Sequence, residues 1–293
     1  MTEITILSGK GGTGKTSLSA ALASLAENSV FCDNDVDASD MHLLLNPVPR
    51  EKHDFEGGRT AEIHPDKCIQ CGICMDHCRY DAISRDAQGA FRIDPFQCEG
   101  CRLCERVCPE NAITSTQEMN NHWFVSDTRF GTLVHATMAP GEENSGRLVT
   151  QIRQRARTLA KETNCQIIIN DGPPGIGCPV IASVTGTNLV IIVLEPSRSS
   201  LHDARRLTEL VQTFNIPVWA VINKADLHED QSEEIRRFLE ENGIPLLTSL
   251  PFDRVMVEAM IHRKTIMEYA GETLLGQRIH AIWQEIYRFA TTS

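Results

Sequence analysis

The sequence has no excess of positive charge. Its 293 residues include 28 Lys and Arg against 39 Asp and Glu, which gives a formal net charge of −11 at pH 7. Proteins that bind nucleic acid without sequence preference need a cationic surface that displaces counterions from the phosphates. The charge balance argues against that function, and we expect no nucleic-acid partner.

Long hydrophobic runs are also missing. No apolar run approaches the roughly 20 residues of a membrane-spanning helix, although the hydrophobic fraction of 41% is sufficient for an ordinary globular core. The N-terminal Met1-Thr2-Glu3 has no basic region of the kind that begins a signal peptide. We therefore expect no integral membrane segment and a cytoplasmic location, where thiols stay reduced.

Cysteine, by contrast, is concentrated in one stretch. Eight of the 11 cysteines lie within residues 68–108, in two copies of the pattern C-x2-C-x2-C-x3-C. The second copy ends in Pro109, whereas Arg79 follows the first. A tight loop with this spacing turns three thiolates inward around one corner of an iron–sulfur cubane, and the fourth cysteine binds the other cluster of a two-cluster ferredoxin.

The spacing therefore predicts two [4Fe–4S] centres with crossed ligands. The ligands of centre 1 are Cys68, Cys71, Cys74 and Cys108, and those of centre 2 are Cys98, Cys101, Cys104 and Cys78. Two structural zinc ions are the alternative, but zinc sites usually combine C-x2-C pairs that are far apart in sequence. The cation of Arg79 beside Cys78 favours the more negative, reduced cluster, so we predict the higher potential for centre 2.

A phosphate-binding loop follows the first apolar run of the chain. Residues 9–16 satisfy the pattern G-x4-G-K-[ST] between a predicted strand and a helical repeat of apolar residues. Backbone N–H groups and the helix N-terminus stabilise phosphates there. Lys15 is predicted to reach the β- and γ-phosphates and Thr16 to bind Mg²⁺. The predicted nucleotide-binding residues of this segment are Gly9, Lys10, Gly11, Gly12, Thr13, Gly14, Lys15, Thr16 and Ser17.

Two further strands are predicted to end in acidic residues. Residues 29–32 lead into Asp33-Asn34-Asp35-Val36-Asp37, and the apolar residues 166–169 lead to Asp171 and then Gly175. Doubly wound sheets bind ligands at the carboxyl ends of their strands. We predict that Asp171 holds Mg²⁺ through water, that Gly175 approaches the γ-phosphate, and that Asp33 and Asp37 support the magnesium ion or the loop around it.

The extra lysine of the loop indicates a family. Lys10-Gly11-Gly12-Thr13-Gly14-Lys15-Thr16 resembles the deviant Walker A motif of the MinD/ParA/nitrogenase-iron-protein class. The resemblance implies that ATP binding forms a homodimer in which Lys10 reaches the nucleotide of the partner, that Asp35 orients the attacking water, and that Asn223 contacts adenine. Asn223-Lys224-Ala225-Asp226 is typical of guanine sites, but the deviant motif favours ATP. The implied catalytic residues are Lys10, Lys15, Asp35 and Asp171.

The combination of motifs resembles MinD-superfamily P-loop ATPases that contain an inserted ferredoxin domain, over nearly the whole chain. It implies an α/β fold, with a mostly parallel P-loop sheet and an inserted small α+β domain of the bacterial two-cluster ferredoxin type. We predict residues 1–58 as the first part of the ATPase domain, 59–116 as the inserted domain and 117–293 as the second part. Proline and glycine in residues 46–60 mark the first boundary, and the two ends of an inserted domain must lie close together.

Three other segments carry specific predictions. Residues 140–146 are predicted to form a loop, and a helix with many arginines follows from about residue 147 to 163. We interpret these arginines as a solvated face. The C-terminal helix places Leu275, Ile279, Ile282 and Ile286 on one side and lacks a cationic face, so we expect it to pack on the sheet rather than bind membrane.

The two sites together suggest ATP-coupled electron transfer. No substrate-reduction site is recognisable in the sequence, so the acceptor is expected to be a separate redox partner protein. The first alternative is an iron–sulfur cluster carrier, but such ATPases hold a labile cluster on a C-terminal C-x2-C pair, and no such pair follows Cys108. The second is a positioning or regulatory ATPase with structural clusters, which ATP-dependent membrane binding would favour.

Overall fold

The computed structural model describes residues 1–117, 121–138 and 145–292. They form two compact units. The large unit comprises residues 1–53, 123–137 and 145–292, and the small unit comprises 54–117, 121–122 and 138. Within these ranges, no helix is long and apolar enough to cross a membrane.

The strands and helices alternate along most of the large unit. In chain order the strands are β1 Thr2–Ser8, β2 Ser29–Asp33, β3 Val48–Phe55, β4 Arg59–Ile63, β5 Ile83–Arg85, β6 Phe91–Ile93, β7 Ile113–Gln117, β8 Asn121–Asp127, β9 Thr132–Thr137, β10 Ile167–Pro174, β11 Leu189–Leu194, β12 Val218–Ile222 and β13 Leu246–Ser249. The helices are α1 Lys15–Leu25, α2 Met41–Leu45, α3 Ile73–Asp76, α4 Leu103–Val107, α5 Ser145–Glu162, α6 Cys178–Val184, α7 Arg198–Gln212, α8 Glu229–Glu241, α9 Arg254–Ile261, α10 Ile266–Ala270 and α11 Leu274–Thr292.

The described residues form a nine-stranded sheet in the order β13-β12-β11-β1-β10-β2-β9-β8-β3. The seven strands from β13 to β9 pair in parallel. A parallel strand buried on both faces is apolar throughout, as β11 is, and its alternate residues enter separate cores. Ile191 and Val193 pack in one core, whereas Val190 and Ile192 pack in the other. Helices therefore cover both faces, and the predicted fold class is confirmed.

Helix α11 contributes to the first of these cores. Leu275, Ile279, Ile282 and Ile286 are all buried there, in the same cluster as Ile4 of β1. The period of these residues places them on one stripe of the helix. The expectation that the C-terminal helix packs on the sheet is confirmed.

The sequence interpretations of residues 46–60 and 140–146 need correction. The stretch 46–60 is more than a boundary, because it contains β3 at the edge of the sheet, where Pro49 does not interrupt an internal ladder. Most of the predicted loop 140–146 lies outside the described residues, but Ser145 and Gly146 belong to α5. Gly146 allows this helix to approach α6 closely, since a Cβ there would lie 3.1 Å from Cβ of Cys178.

The arginines of α5 are not uniformly solvated. Arg153 is only 3% exposed, and its Nη2 lies 2.6 Å from Oε1 of Glu3, which is 2% exposed. Arg157 reaches the other oxygen of Glu3 at 2.6 Å. The solvated interpretation is wrong for Arg153, because the buried Glu3 carboxylate of β1 requires a counterion.

The small unit contains two antiparallel strand pairs. β4 pairs with β7, which places Arg59 opposite Gln117, and β5 pairs with β6. The chain thus enters and leaves this unit side by side, as expected of an inserted segment. Its core consists of Ala61, Cys74, Ile83, Phe91 and Ile113, against which several other cysteines pack.

Candidate functional site

Five neighbouring parallel strands of the large unit deliver polar residues to one edge of the sheet. Strands β1, β2, β11 and β12 end at or directly before Ser8, Asp33, Glu195 and Asn223, and Asp171 lies three residues before the end of β10 at Pro174. The carboxyl ends of parallel strands meet at a single edge, where open α/β sheets bind their ligands. The loop of residues 9–14 connects β1 to α1 at this edge.

The loop conformation depends on Gly14 and Asn223. Gly14 has a φ of +90°, in the left-handed region that other residues rarely adopt, and a Cβ there would overlap Nδ2 of Asn223. The same Nδ2 donates a hydrogen bond to the carbonyl of Thr13 at 2.8 Å. Asn223 therefore braces the loop, and its contact with adenine stays a prediction.

Lys15 lies at the centre of the site and is buried. Its Nζ is 3.2 Å from Oδ2 of Asp35 and 3.3 Å from Oδ1 of Asp171. Thr16 donates a hydrogen bond to Oδ2 of Asp171 at 2.7 Å. Ser19 donates to Oδ1 of the same carboxylate, also at 2.7 Å. Four predicted site residues thus form one hydrogen-bonded group.

This group has more acidic than basic residues. Burial lowers the pKa of Lys15, but the carboxylates of Asp171, Asp35 and Asp33 outweigh that effect and raise it. Burial, and then the charge of Asp171, raise the pKa of Asp33 to about 8. Burial also raises the pKa of Asp35, although Lys15 opposes the shift. An added divalent cation would stabilise the ionised carboxylates, so the site suits a metal-bound polyphosphate.

Asp33 also orders the turn that carries Asp35. Its carboxylate accepts hydrogen bonds from Oγ of Ser39 at 2.8 Å, from the backbone N–H of Met41 at 3.1 Å and from that of Asp35 at 3.2 Å. Asp33 therefore fixes residues 34–40 between β2 and α2. For Asp37, burial raises the pKa of the carboxyl.

The hydroxyl of Thr13 bears on whether the loop fits a nucleotide. Thr13 is 1% exposed, and its buried Oγ1 has no hydrogen-bond partner among the described residues. A buried hydroxyl without a partner is costly, and phosphate oxygens are strong acceptors. With the cation of Lys15 and the hydroxyl of Thr16 nearby in sequence, the loop fits the phosphates of a nucleotide.

The remaining predicted residues lie on either side of the loop. Lys10 forms an ion pair with Glu195, with 2.6 Å between Nζ and Oε1, and Lys224 pairs with the other oxygen at 3.0 Å. Lys224 also donates a hydrogen bond to the carbonyl of Gly12 at 2.8 Å. The N–H of Gly175 donates to the carbonyl of Ser8 at 3.1 Å, which joins the end of β10 to the loop.

The cysteines of the small unit line two separate cavities. One cavity is lined by Cys68, Cys71, Cys74 and Cys108, together with apolar residues such as Ile63 and Phe91. The other is lined by Cys78, Cys98, Cys101 and Cys104. Each cavity therefore has four thiols available to one cluster.

In the described ranges, no three His, Cys, Asp or Glu side chains approach closely enough to bind one metal ion. The N–H of Ala112 donates a hydrogen bond to Sγ of Cys108 at 3.2 Å, a contact that stabilises a ligating thiolate. Burial raises the pKa of Cys104 to about 11, so its thiolate form depends on a bound cation.

Three residues that support the site were given no role in the sequence analysis. Ser19 follows the loop by one helical turn, and its contact with Asp171 could have been proposed from that spacing. Glu195 and Lys224 follow strands β11 and β12, so their position at strand ends was the available signal. Their pairing with each other and with Lys10 joins residues far apart in sequence, which the spacing alone does not reveal.

Comparison with known proteins identifies relatives of both units. A family model described as "4Fe-4S dicluster domain" matches residues 61–115. Pyruvate synthase subunit PorD of Methanocaldococcus jannaschii is 43% identical over 53 residues, which cover 18% of this chain and 62% of that protein. The structure of the septum site-determining protein MinD of Pyrococcus horikoshii, a complex with Mg-ADP, has a TM-score of 0.58 at 16% identity and covers 99% of this chain and 97% of its own.

A longer relative shows the family. Uncharacterized protein MJ0578 of Methanocaldococcus jannaschii is 36% identical over 229 residues, which cover 77% of this chain and 79% of that protein. The predicted resemblance is thereby confirmed at the level of fold and domain content. The chain belongs to the family of MJ0578 and combines a P-loop fold of the MinD and ParA type with a 4Fe–4S dicluster domain.

Proposed function

We propose that the chain is an ATPase that binds and hydrolyses MgATP as a homodimer and couples this cycle to electron transfer through two [4Fe–4S] clusters to a redox partner protein. One observation carries the proposal. A single chain contains both the buried Lys15–Asp35–Asp171 group and two cavities that are each lined by four cysteines.

The proposed ATPase site assigns a role to each residue. Lys15 and the loop N–H groups of residues 9–17 bind the β- and γ-phosphates, while Thr16 and Asp171 hold Mg²⁺. Phosphate oxygens then replace the carboxylates as partners of the Lys15 ammonium, which releases Asp35 to orient a water molecule. Lys10 acts on the nucleotide of the partner subunit, Gly175 approaches the γ-phosphate, and Asn223 contacts adenine.

The proposed redox centres are resident in the small unit. Bound [4Fe–4S] clusters would supply one-electron transfer, with Cys68, Cys71, Cys74 and Cys108 holding one centre and Cys78, Cys98, Cys101 and Cys104 the other. All four ligands of each centre come from one chain, which favours permanent centres over a cluster carried between subunits. Cys71 and Cys101 are the exposed members of their sets, so we assign electron exchange with the partner protein to these two points.

The proposal implies a reducing compartment. Eight thiols that bind iron must stay reduced, which agrees with a cytoplasmic location. Oxygen-free purification is therefore the first condition of any test.

The proposal is tested by iron content, electron paramagnetic resonance and ATP hydrolysis on protein purified without oxygen. We expect about eight irons per chain and a hydrolysis rate per chain that rises with protein concentration. Asp35→Ala should bind ATP and accumulate as a dimer, whereas Lys10→Ala should bind ATP but neither dimerise nor hydrolyse it. Full-rate hydrolysis by a monomer at high dilution would contradict the role of Lys10 across the dimer.

A further inference from the structure

The ammonium of Lys10 is fully engaged by its own chain. Its Nζ lies 2.6 Å from Oε1 of Glu195, 3.0 Å from Oγ of Ser197 and 3.2 Å from Oγ of Ser199. A lysine ammonium has three N–H donors and no acceptor. These three partners use all of its donors, so Lys10 must leave all of them before it can bind a phosphate of a second copy of the chain.

Glu195 is the one charged partner of the three. The side chains of Lys10 and Glu195 are 28% and 18% exposed, so water screens the pair only in part. Burial alone raises the pKa of Glu195, but the hydrogen bonds from Lys10 and Lys224 outweigh it and lower the pKa. The carboxylate is therefore ionised at neutral pH and attracts Lys10 electrostatically.

A second cation makes the release of Lys10 feasible. Nζ of Lys224 lies 3.0 Å from Oε2 of Glu195 and donates a hydrogen bond to the carbonyl of Gly12 at 2.8 Å. When Lys10 departs, Glu195 keeps Lys224 as its counterion, and Lys224 keeps its contact with the loop. The carboxylate is thus never left without a positive partner, which removes the main cost of breaking an ion pair.

We infer that Glu195 is a positioning residue that holds Lys10 within its own subunit and thereby sets the affinity of the ATP-bound homodimer. The inference rests on the proposed function, because it requires Lys10 to act across the dimer. Exposed ion pairs contribute about 0.2–1 kcal/mol, which corresponds to about 1.4-fold to 5-fold in an equilibrium constant. Each dimer releases two lysines, so the ion pair weakens dimerisation by about 2-fold to 30-fold.

The test compares the dimer dissociation constants of wild type and Glu195→Gln. Sedimentation velocity over a concentration series, with Mg²⁺ and a saturating non-hydrolysable ATP analogue, gives these constants without any contribution from hydrolysis. Glutamine keeps the size and one oxygen acceptor of glutamate but removes the charge. We expect Glu195→Gln to dimerise about 2-fold to 30-fold more tightly, while calorimetry on the same samples verifies saturation with the analogue.

Three control variants separate this role from support of the loop. Lys224→Gln removes the other cation of Glu195 and leaves Lys10 paired, so its dimer should be equal to or weaker than that of wild type. Ser199→Ala removes one neutral partner of Lys10 and should strengthen the dimer less than Glu195→Gln. In a Lys10→Ala background, Glu195→Gln should not restore dimers.

The outcomes distinguish this inference from the proposed function. If wild type dimerises with the analogue but Glu195→Gln has an unchanged or weaker affinity, the role of Glu195 is overturned and the dimer stands. Dimers of the Lys10→Ala, Glu195→Gln double variant would also overturn it, because the gain would not depend on Lys10. If wild type and Glu195→Gln both stay monomeric at every concentration, the proposed dimer is overturned and the role of Glu195 with it.

Discussion

Nζ of Lys15 lies 3.3 Å from Oδ1 of Asp171, and this contact joins the first residue of α1 to the strand β10. The other oxygen of the same carboxylate accepts a hydrogen bond from the hydroxyl of Thr16. The ion pair therefore holds the phosphate-binding loop against the sheet edge through residues that are 156 positions apart in sequence. A ligand that competes for Lys15 must alter this contact, so the pair links ligand binding to the position of β10.

We expect Lys15→Ala to lose nucleotide binding. The change removes the buried cation, so Asp35 and Asp171 would face the phosphates as uncompensated negative charges. One charge-assisted hydrogen bond contributes about 1.5–3 kcal/mol, and with the added repulsion we expect at least about a 100-fold loss of affinity. Calorimetry with MgATP measures it, and Lys161→Ala on the exposed face of α5 is the matched control. Affinity within tenfold of wild type would rule out the role assigned to Lys15.

Asp33 should give the large unit a specific pH dependence. Folding raises the pKa of Asp33 from 3.8 to about 8. The contribution of the protonated carboxyl to the free energy of unfolding is therefore fully present below pH 3.8 and is lost as the pH rises through about 8. The slope for one proton is at most about 1.4 kcal/mol per pH unit. We expect Asp33→Asn to become progressively more stable than wild type from pH 5 to pH 8 in denaturant unfolding without Mg²⁺.

Two further measurements test this interpretation of Asp33. Because Mg²⁺ with nucleotide stabilises ionised carboxylates, adding both should reduce the difference between wild type and Asp33→Asn at pH 8. Asp230→Asn, which changes an exposed carboxyl in the first turn of α8, is the control and should show no such trend. A stability difference between wild type and Asp33→Asn that is constant from pH 5 to pH 8 would contradict the prediction.

Cys78→Ser should damage the centre with which it shares a cavity rather than the one nearest in sequence. Cys78 lines the cavity of Cys98, Cys101 and Cys104, so the change should perturb or remove that centre, with a loss of up to about four irons. Cys108→Ser should damage the other centre, and Cys165→Ser, far from both cysteine motifs in sequence, should retain both. Iron counting and electron paramagnetic resonance distinguish the two centres. Loss of the centre of Cys68, Cys71 and Cys74 alone in Cys78→Ser would disprove the crossed ligation.

The parts of the molecule that could be predicted from sequence are those encoded by short spacings. The loop of residues 9–16 and the cysteines of 68–108 depend on contacts within a few residues or within one small unit, so pattern and chemistry suffice. The ion pairs of Glu3 with Arg153 and of Lys10 with Glu195 could not be predicted, because they join segments 150 and 185 positions apart. Their partners are selected by the order of strands in the sheet, which periodicity does not encode.

The pair of Glu3 and Arg153 should be essential for stability. Oε1 of Glu3 accepts hydrogen bonds from Nε and Nη2 of Arg153 at 2.9 and 2.6 Å and from Nδ2 of Asn170 at 2.8 Å. Removing one partner of a buried ion pair leaves an uncompensated charge and costs about 3–5 kcal/mol. We expect Glu3→Gln to lower the free energy of unfolding of the large unit by that amount, as followed by far-UV circular dichroism in urea.

A surface ion pair provides the matched control for Glu3→Gln. Glu285 pairs with Arg288 at 2.9 Å, but both side chains are exposed. Glu285→Gln should therefore change the free energy of unfolding by less than about 1 kcal/mol. Equal effects of the two substitutions would mean that the pair of Glu3 and Arg153 contributes no more to the free energy of unfolding than a solvated ion pair does.

Nucleotide state and cluster redox state should be linked. The small unit lies in sequence between Asp35 and Asp171, and loops that contact a γ-phosphate commonly rearrange when it is bound or released. Linkage is reciprocal, so a nucleotide that shifts a cluster potential must itself bind with an affinity that depends on the redox state. Couplings of about 1–3 kcal/mol are typical, which corresponds to about 40–130 mV for one electron at about 59 mV per tenfold.

Redox titrations without nucleotide, with MgADP and with a non-hydrolysable ATP analogue measure this coupling. We expect the midpoint of at least one centre to differ by about 40–130 mV between the ADP and ATP-analogue samples. Lys15→Ala is the control, because a chain that does not bind nucleotide should give one set of midpoints in all three conditions. If wild type also gives identical midpoints for both centres, ATP does not control the clusters. Their role would then be to stabilise a small unit of modest hydrophobic core, in which cysteines themselves pack around Phe91 and Ile113.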